Sequence, residues 1–342
     1  MFNSLKSFEP LFPAHDLEFI VNSVDFSKLN NQKILLTGGT GFIGRWFLES
    51  FHFANQKFQL NARLTILTRN SERFMSIYPK YKDFSDINFW QTDILDFKNV
   101  EEKFSFIIHA AAESDSRLDS NSALKTADTI VKGTWNILEL AEKMNTEYFL
   151  YLSSGAVYGN VSSPVNENYS GAPLIQTNFA YGESKRFAEL LCKIFSEKIK
   201  TQISIARCFA LVGPGLPLTS SYAIGNFIDN YLERTEILVK GDGTPLRSFI
   251  YSSDLMIWLW KILFESKSGS IYNVGSDEVI SIKELAEKIS KQEVTVKILE
   301  KDSGRKDNCY LPIVDKAKRE LNLQITIGLD EAIEKTIQFY RN

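Results

Sequence analysis

Residues 32–44 read Gln32-Lys33-Ile34-Leu35-Leu36-Thr37-Gly38-Gly39-Thr40-Gly41-Phe42-Ile43-Gly44. QKILLT is a short apolar run of strand character that stops at a glycine cluster. From Phe42 to Phe53 the apolar residues recur at helical spacing. Gly38, Gly41 and Gly44 fit a G-x-x-G-x-x-G pattern between strand and helix. A pyrophosphate seated on a helix N-terminus touches backbone N–H groups, and a Cβ would stand in its way. A glycine triplet alone is a weak signal. Its place between a strand and a helix makes it a phosphate cradle of the dinucleotide-binding kind.

The pattern continues outward from this turn. LTILT (64–68), INFWQ (87–91), FSFIIHAAA (104–112), EYFLYLSS (147–154) and QISIARCF (202–209) read as further strands. Ala123–Met144 and Tyr181–Lys198 read as long helices. Short apolar strands alternating with helices predict an α/β chain with a Rossmann-type, doubly wound parallel sheet in residues 32–210. Residues 1–31 form an N-terminal extension whose apolar and aromatic residues are expected to pack on the main body. After residue 210, glycine and proline cluster at 213–217, and GDGTP (241–245) is a turn. SIKELAEKI (281–289) opens with a capping box, Ser281 to Glu284. Residues 211–342 are expected to be mainly a smaller mixed α/β lobe for substrate, with some segments interleaved with the first domain. MIWLWKILF (256–264) reads as a buried helix despite Lys261.

Composition narrows the function classes. A chain of 342 residues fits two domains or one large lobed unit. At 44% hydrophobic and 24% charged it has the balance of a soluble enzyme with a sizeable core. Lys and Arg number 39 against 42 Asp and Glu, a net charge of −3. That excludes a strongly basic nucleic-acid binder and an acidic disordered chain. Three cysteines, Cys192, Cys208 and Cys309, with no C-x-x-C, argue against a disulfide framework or a zinc ribbon. His15, His52 and His109 are too scattered for a metal cage, so no metal is expected. Glu9, Asp16 and Glu18 fall where a signal peptide needs an apolar core, and no apolar run approaches the roughly 20 residues of a membrane span. A cytoplasmic protein without a membrane partner is expected.

Two groups of residues carry chemistry. Tyr181 and Lys185 stand at i and i+4, on one face of a helix. An ammonium beside a phenol is expected to lower the phenol's pKa and make it a usable acid or base. Ser153 and Ser154 end the fifth strand, at the carboxyl edge where ligands bind in such sheets. A serine hydroxyl there can share a hydrogen bond with the phenol and a substrate oxygen. An acid about 20 residues beyond the glycine turn would bind the ribose hydroxyls of NAD. The chain has Thr68-Arg69-Asn70-Ser71 instead. Arg69 suits a 2′-phosphate, which favours NADP over NAD, while a solvated surface arginine is the plain alternative. Asp93, in QTDILD, is placed to bond the adenine amino group.

With these residues in view, the chain resembles an extended short-chain dehydrogenase/reductase of the NAD-dependent epimerase/dehydratase group, which acts on nucleotide sugars. The resemblance runs from about Lys33 to the C-terminus. It is carried by TGGTGFIG (37–44), TDILD (92–96), HAAAES (109–114), SSGAVYG (153–159), YGESK (181–185), RCFALVGP (207–214) and GDGTPLRSFIYSSDL (241–255). It implies Ser154, Tyr181 and Lys185 as the catalytic triad, with Tyr181 moving a sugar hydroxyl proton and Lys185 also holding the nicotinamide ribose. It implies Gly38, Thr40, Gly41, Phe42, Ile43 and Gly44 around the pyrophosphate, with Asp93, Ile94, Ala110, Ala111 and Ala112 completing the cofactor site. Arg247 and Asn226 match residues that hold the nucleotide diphosphate, and Arg305 and Asp307 fall where the family contacts the nucleoside. It also implies a homodimer through the two long helices.

The departures from the family are informative. The 4,6-dehydratases carry an Asp-Glu pair just after the catalytic hydroxyl, the decarboxylases a Glu there and a 3,5-epimerase a Cys. This chain has Gly155 and Ala156. Glu113 and Asp115 are near enough in sequence to be watched as substitutes. Ala210 stands where the galactose epimerase type has an Asn that touches the substrate. What remains is hydride transfer at one carbinol, which fits an NAD(P)-dependent 4-epimerase or 4-keto reductase acting on a nucleotide-diphosphate sugar. A dehydratase or decarboxylase is the alternative within the enzyme class. A redox-silent NADP-binding sensor is the alternative from another class, disfavoured by the intact Ser-Tyr-Lys set.

Overall fold

The computed structural model describes residues 10–97, 100, 102–112, 120–219, 222–300 and 309–341. In chain order α1 (Ala14–Ser23) precedes β1 (Lys33–Thr37), α2 (Phe42–Phe58), β2 (Arg63–Thr68), α3 (Ser71–Ile77), β3 (Ile87–Gln91) and β4 (Phe106–His109). Then come α4 (Ser120–Ala127), a π turn over Asp128–Lys132, α5 (Gly133–Met144), β5 (Tyr148–Ser154), α6 (Ala180–Lys198) and β6 (Gln202–Cys208). The second half holds β7 (Leu211–Val212), α7 (Ala223–Leu232), β8 (Ile237–Val239), β9 (Leu246–Arg247), β10 (Ile250–Tyr251), α8 (Ser252–Glu265) and β11 (Ser270–Val274). It closes with β12 (Ile280–Ser281), α9 (Ile282–Ser290), β13 (Val296–Ile298), β14 (Cys309–Tyr310), α10 (Asp315–Leu321) and α11 (Leu329–Arg341).

β1 explains why the sheet is wound on both sides. Ile34, Leu35 and Leu36 are all fully buried, yet successive strand residues face opposite ways. Ile34 and Leu36 belong to a core shared with α1, α2 and α8, whereas Leu35 joins a core with α5 and α6 on the other face. The seven strands lie in the order β11-β6-β5-β4-β1-β2-β3, all parallel. The order reverses between β1 and β4, which opens a crevice at their carboxyl ends. A third core gathers α7, α9, α11 and β8 of the second half of the chain.

Within the N-terminal extension, residues 10–31 are described, and their apolar side chains pack on the main body. Phe12 stacks on Trp46 with ring centroids 4.1 Å apart, and Leu17, Ile20 and Val21 of α1 are buried. Buried Asp16 accepts hydrogen bonds from Tyr251 (2.6 Å) and Lys335 (3.1 Å), tying the extension to the C-terminal half. The capping box at Ser281 and Glu284 is formed, and α8 buries Met256–Phe264 apart from Lys261, which is partly exposed.

Three expectations need correction. The fourth strand spans Phe106–His109, not 104–112, because the chain leaves the sheet where Ala110 meets the glycine turn. The helix expected over 123–144 is interrupted by the π turn, which leaves the spacing of buried residues nearly unchanged. The seventh strand, β11, was not among the expected ones. It comes from the second half of the chain and pairs with β6.

Candidate active site

The glycine turn separates three glycines by what surrounds them. Gly38 has φ +70°, and a Cβ there would lie 2.7 Å from the carbonyl carbon of Ala110. A Cβ on Gly44 would lie 2.1 Å from the Gly38 carbonyl oxygen, so α2 packs against the turn only without one. Both are required by the protein's own packing. Gly41 differs: the nearest atom to a Cβ there is the Gly38 oxygen, at 3.4 Å. Gly41 caps α2 and has no side chain to bond the first N–H groups of the helix, and among the described residues no other cap bond is made there. The turn therefore leaves open, at an uncapped helix N-terminus, the space that an anionic group would fill. Thr40, Phe42 and Ile43 are partly buried around it.

The crevice wall is fixed from beneath. Thr37 Oγ1 bonds His109 Nδ1 at 2.7 Å and accepts from the Ala111 N–H at 3.2 Å. His109 Nε2 meets Thr134 Oγ1 at 3.0 Å. Burial, with the Lys185 charge adding to it, pushes the His109 imidazole down to about 3, so it is neutral. Ala110 and Ala111 are partly buried and Ala112 is exposed. Farther along the edge, Arg69 is exposed just beyond β2. Asp93 is half-buried and its carboxylate accepts from the Leu95 N–H at 2.9 Å. Ile94 is buried, with its carbonyl receiving Asn136 Nδ2 at 3.0 Å.

At the end of β5 the two serines part, as successive strand residues must. Ser153 turns inward and donates to Glu189 at 2.5 Å. Ser154 Oγ accepts from the Ala156 N–H at 3.1 Å, lies 3.4 Å from Tyr310 Oη and is near enough to Tyr181 to hold that phenol's pKa down. Gly182 lets α6 come this close: a Cβ there would lie 2.5 Å from the Ala156 carbonyl oxygen. Lys185, one turn on from Tyr181, is buried, donates to the Leu152 carbonyl at 2.7 Å and sits 6.0 Å from the Tyr181 ring centre. Ser154, Tyr181 and Lys185 are thus brought together from β5 and α6.

Electrostatics differ from the expectation of a lowered phenol. Burial raises the Tyr181 pKa above the ordinary tyrosine value, with Tyr310 adding to the rise and the Ser154 hydrogen bond opposing it. Lys185 donates an N–H to the Leu152 carbonyl, and burial pulls its own pKa down to about 8. Desolvation outweighs the ammonium in this arrangement.

The second half of the chain supplies further residues of the candidate site. β9 lies between β12 and β14, which sets Arg247 directly beside Tyr310. The Arg247 guanidinium is 5.7 Å from the centre of the Tyr310 ring, and Nη1 donates to the Leu246 carbonyl at 2.8 Å. Burial lowers its pKa from the usual arginine value. Asn226 is half-buried in the first turn of α7. Arg305, Asp307, Glu113 and Asp115 lie outside the described residues.

Sequence reasoning missed two features. The first is Tyr310, with Phe209 behind it at 4.8 Å between ring centroids. The second is a buried ion pair under the triad. Arg207 binds Glu189 through Nε (2.9 Å) and Nη2 (2.6 Å), and its Nη1 reaches Tyr158 Oη at 2.8 Å. An arginine inside an apolar strand is the signal that could have found it. Among the described residues no group of acids, histidines and cysteines could hold a metal ion.

The family model for the NAD dependent epimerase/dehydratase family matches residues 34–275. The chain belongs to that family. A putative UDP-glucose 4-epimerase of Methanocaldococcus jannaschii is 30% identical over 324 residues, covering 90% of this chain and 98% of that protein. UDP-glucuronic acid decarboxylase 6 of Arabidopsis thaliana is 29% identical over 311 residues, covering 89% and 87%. Among solved structures, the UDP-glucuronic acid 4-epimerase from Bacillus cereus in complex with NAD superposes with a TM-score of 0.75 at 24% identity, covering 90% of this chain and 98% of that one. Family membership makes the chain an enzyme of the short-chain dehydrogenase/reductase superfamily. The relatives span epimerase and decarboxylase activities, so the specific reaction rests on this chain's own site. No described helix is long and apolar enough to cross a membrane.

Proposed function

We propose that this enzyme is an NAD(P)-dependent nucleotide-sugar 4-epimerase or 4-keto reductase. One observation carries the reading. The hydroxyl, phenol and ammonium of Ser154, Tyr181 and Lys185 converge, while the next positions after Ser154 are Gly155 and Ala156. A Cβ at residue 155 would lie 2.8 Å from both Phe209 Cε1 and Tyr310 Oη, so the site has no room there for an acid side chain. Elimination of water or loss of CO₂ needs a further acid or base, and none stands among the described residues at this point. Redox at a carbinol needs only the set that is present.

The open cradle at Gly41 and the uncapped N-terminus of α2 fit a dinucleotide pyrophosphate. Gly38, Thr40, Phe42, Ile43 and Gly44 would surround it, Asp93 and Ile94 would hold the adenine end, and Ala110–Ala112 would border the nicotinamide end. When bound, the nicotinamide supplies two-electron exchange with the sugar carbon. Tyr181 takes the carbinol proton during oxidation and returns it during reduction. Ser154 orients that phenol. Lys185 is charged at neutral pH and favours the phenolate form, against the burial that opposes it. Arg247 and Asn226, with Arg305, would hold the nucleotide diphosphate and nucleoside. Arg69 at the end of β2, with no acid at 68–71, favours NADP.

Exposed Trp135 on α5 and Phe187, Leu190 and Ile194 on α6 form an apolar surface that supports a homodimer through these helices. Three free, buried cysteines suit a reducing cytoplasm. The test is incubation with UDP-, dTDP-, GDP- and CDP-sugars and either cofactor, with products read by NMR and mass spectrometry. A product of unchanged mass, or one gaining two hydrogens, supports the reading. Loss of water or CO₂ overturns it.

A further inference from the structure

Ser154 sits between two phenols, and a serine hydroxyl has one proton to give and two lone pairs to receive with. The Ala156 N–H takes one lone pair, at 3.1 Å. Tyr310 from β14 lies 3.4 Å from the same oxygen, and Tyr181 from α6, one turn before Lys185, is the second phenol beside it. One phenol must therefore donate to Ser154 while the other receives the serine's proton. A tyrosine that accepts a proton from substrate does so as phenolate, which can only accept hydrogen bonds. Ser154 must then donate to Tyr181, and Tyr310 must donate to Ser154.

We propose that Tyr310 is a positioning residue of this site, whose phenol donates to Ser154 Oγ and thereby commits the serine's proton to Tyr181. The surroundings favour that polarity. The Arg247 guanidinium lies 5.7 Å from the centre of the Tyr310 ring, and a cation on a phenol ring makes its O–H a better donor. The Phe209 ring packs against Tyr310, and the bare backbone of Gly155 leaves room for its hydroxyl. Any side chain at residue 155 would displace that hydroxyl, so Gly155 and Tyr310 act as one feature. The proposal rests on the assignment of Tyr181 as acid and base.

The test compares wild type, Y310F, S154A, the double variant and Y181F. Each is assayed with NAD and NADPH against UDP-glucose, UDP-glucuronic acid, dTDP-glucose, GDP-mannose and CDP-glucose. Y310F removes one oxygen and keeps the ring. It is expected to lower kcat about three- to tenfold, the worth of one hydrogen bond, with KM unchanged and a loss of unfolding stability of about 1 kcal/mol. In the S154A background the same substitution is expected to cost nothing more. An intact kcat in Y310F, or an equal loss in the S154A background, overturns the proposal. Y181F separates the two readings: if it keeps wild-type turnover, the acid/base assignment fails, whatever Y310F does. If wild type turns over none of the sugars, the unfolding cycle decides. Losses from S154A and Y310F that simply add overturn the proposal, and a less-than-additive loss sustains the contact.

Discussion

The glycine turn and the hydroxyl cluster stand at the same edge of the same sheet, yet they are specified at different ranges. The turn is local. Its constraints run from Gly38 to Gly44, apart from the close approach of Ala110. The cluster is assembled from far apart: Ser154 and Tyr310 are separated by 156 positions, and Glu189 links Ser153 of β5 to Arg207 of β6. A local motif tolerates rearrangement elsewhere in the chain. A long-range cluster depends on the whole fold and is where members of one family diverge in chemistry.

The sharpest way to break the cluster is at its reactive end. Y181F should lower kcat by about 100- to 10,000-fold, the usual worth of a positioned acid/base, with cofactor affinity unchanged. Turnover by stopped assay and cofactor titration measure the two halves; a variant with wild-type kcat removes Tyr181 from the chemistry. The next largest effect lies beneath. Glu189 and Arg207 are both buried, and E189A removes the carboxylate from the guanidinium and leaves it bonded to the Tyr158 hydroxyl. Breaking a buried pair in this way costs about 3–5 kcal/mol. Denaturant unfolding measures it, and a loss under about 1 kcal/mol would mean that the pair does not hold β6 to α6.

How much was legible follows the same division. The turn, six of the seven strands and the Tyr181–Lys185 spacing were readable because each is encoded within a few residues. β11 was not, since its SIYNV run sits between turns in the second half of the chain and its partner β6 lies more than 60 residues earlier. The π turn was hidden because Thr129, Ile130 and Val131 leave the apolar spacing of a continuous helix almost intact. Tyr310 could not be assigned, because nothing near it in sequence says that it meets Gly155. Gly155 itself was read only as a missing acid, whereas its lack of a side chain is what admits the phenol.

Within the turn, the glycines sharpen the comparison. G44A places a methyl 2.1 Å from a backbone oxygen and 2.5 Å from the Gly39 Cα, atoms that cannot swing aside. It should destabilise the fold by about 1–3 kcal/mol or more. G41A meets nothing closer than 3.4 Å and adopts an ordinary φ of −78°. Its melting temperature should match wild type while NAD and NADPH affinity falls by about tenfold, or about 1.4 kcal/mol. Calorimetry and cofactor titration read the two effects. Equal melting losses in both variants would make Gly41 a packing glycine like its neighbour.

The smallest expected effect concerns Lys185, the buried cation of the cluster. Burial lowers its pKa from 10.5 to about 8. The folded chain therefore gives up this proton earlier than the unfolded chain. Between about pH 8 and pH 10.5 the unfolded state binds more protons, and stability from this group rises with pH across that window. Below about pH 8 the buried ammonium is a constant cost. K185M removes the titration and keeps an unbranched chain. Other groups that titrate in this range are common to both proteins and cancel in the difference. Wild type should gain about 1 kcal/mol on K185M between pH 8 and pH 9 in matched denaturant titrations. A gap that stays constant, or moves the other way, would mean that Lys185 keeps its charge in the fold, and that the cation holding Tyr181 is stronger than its burial allows.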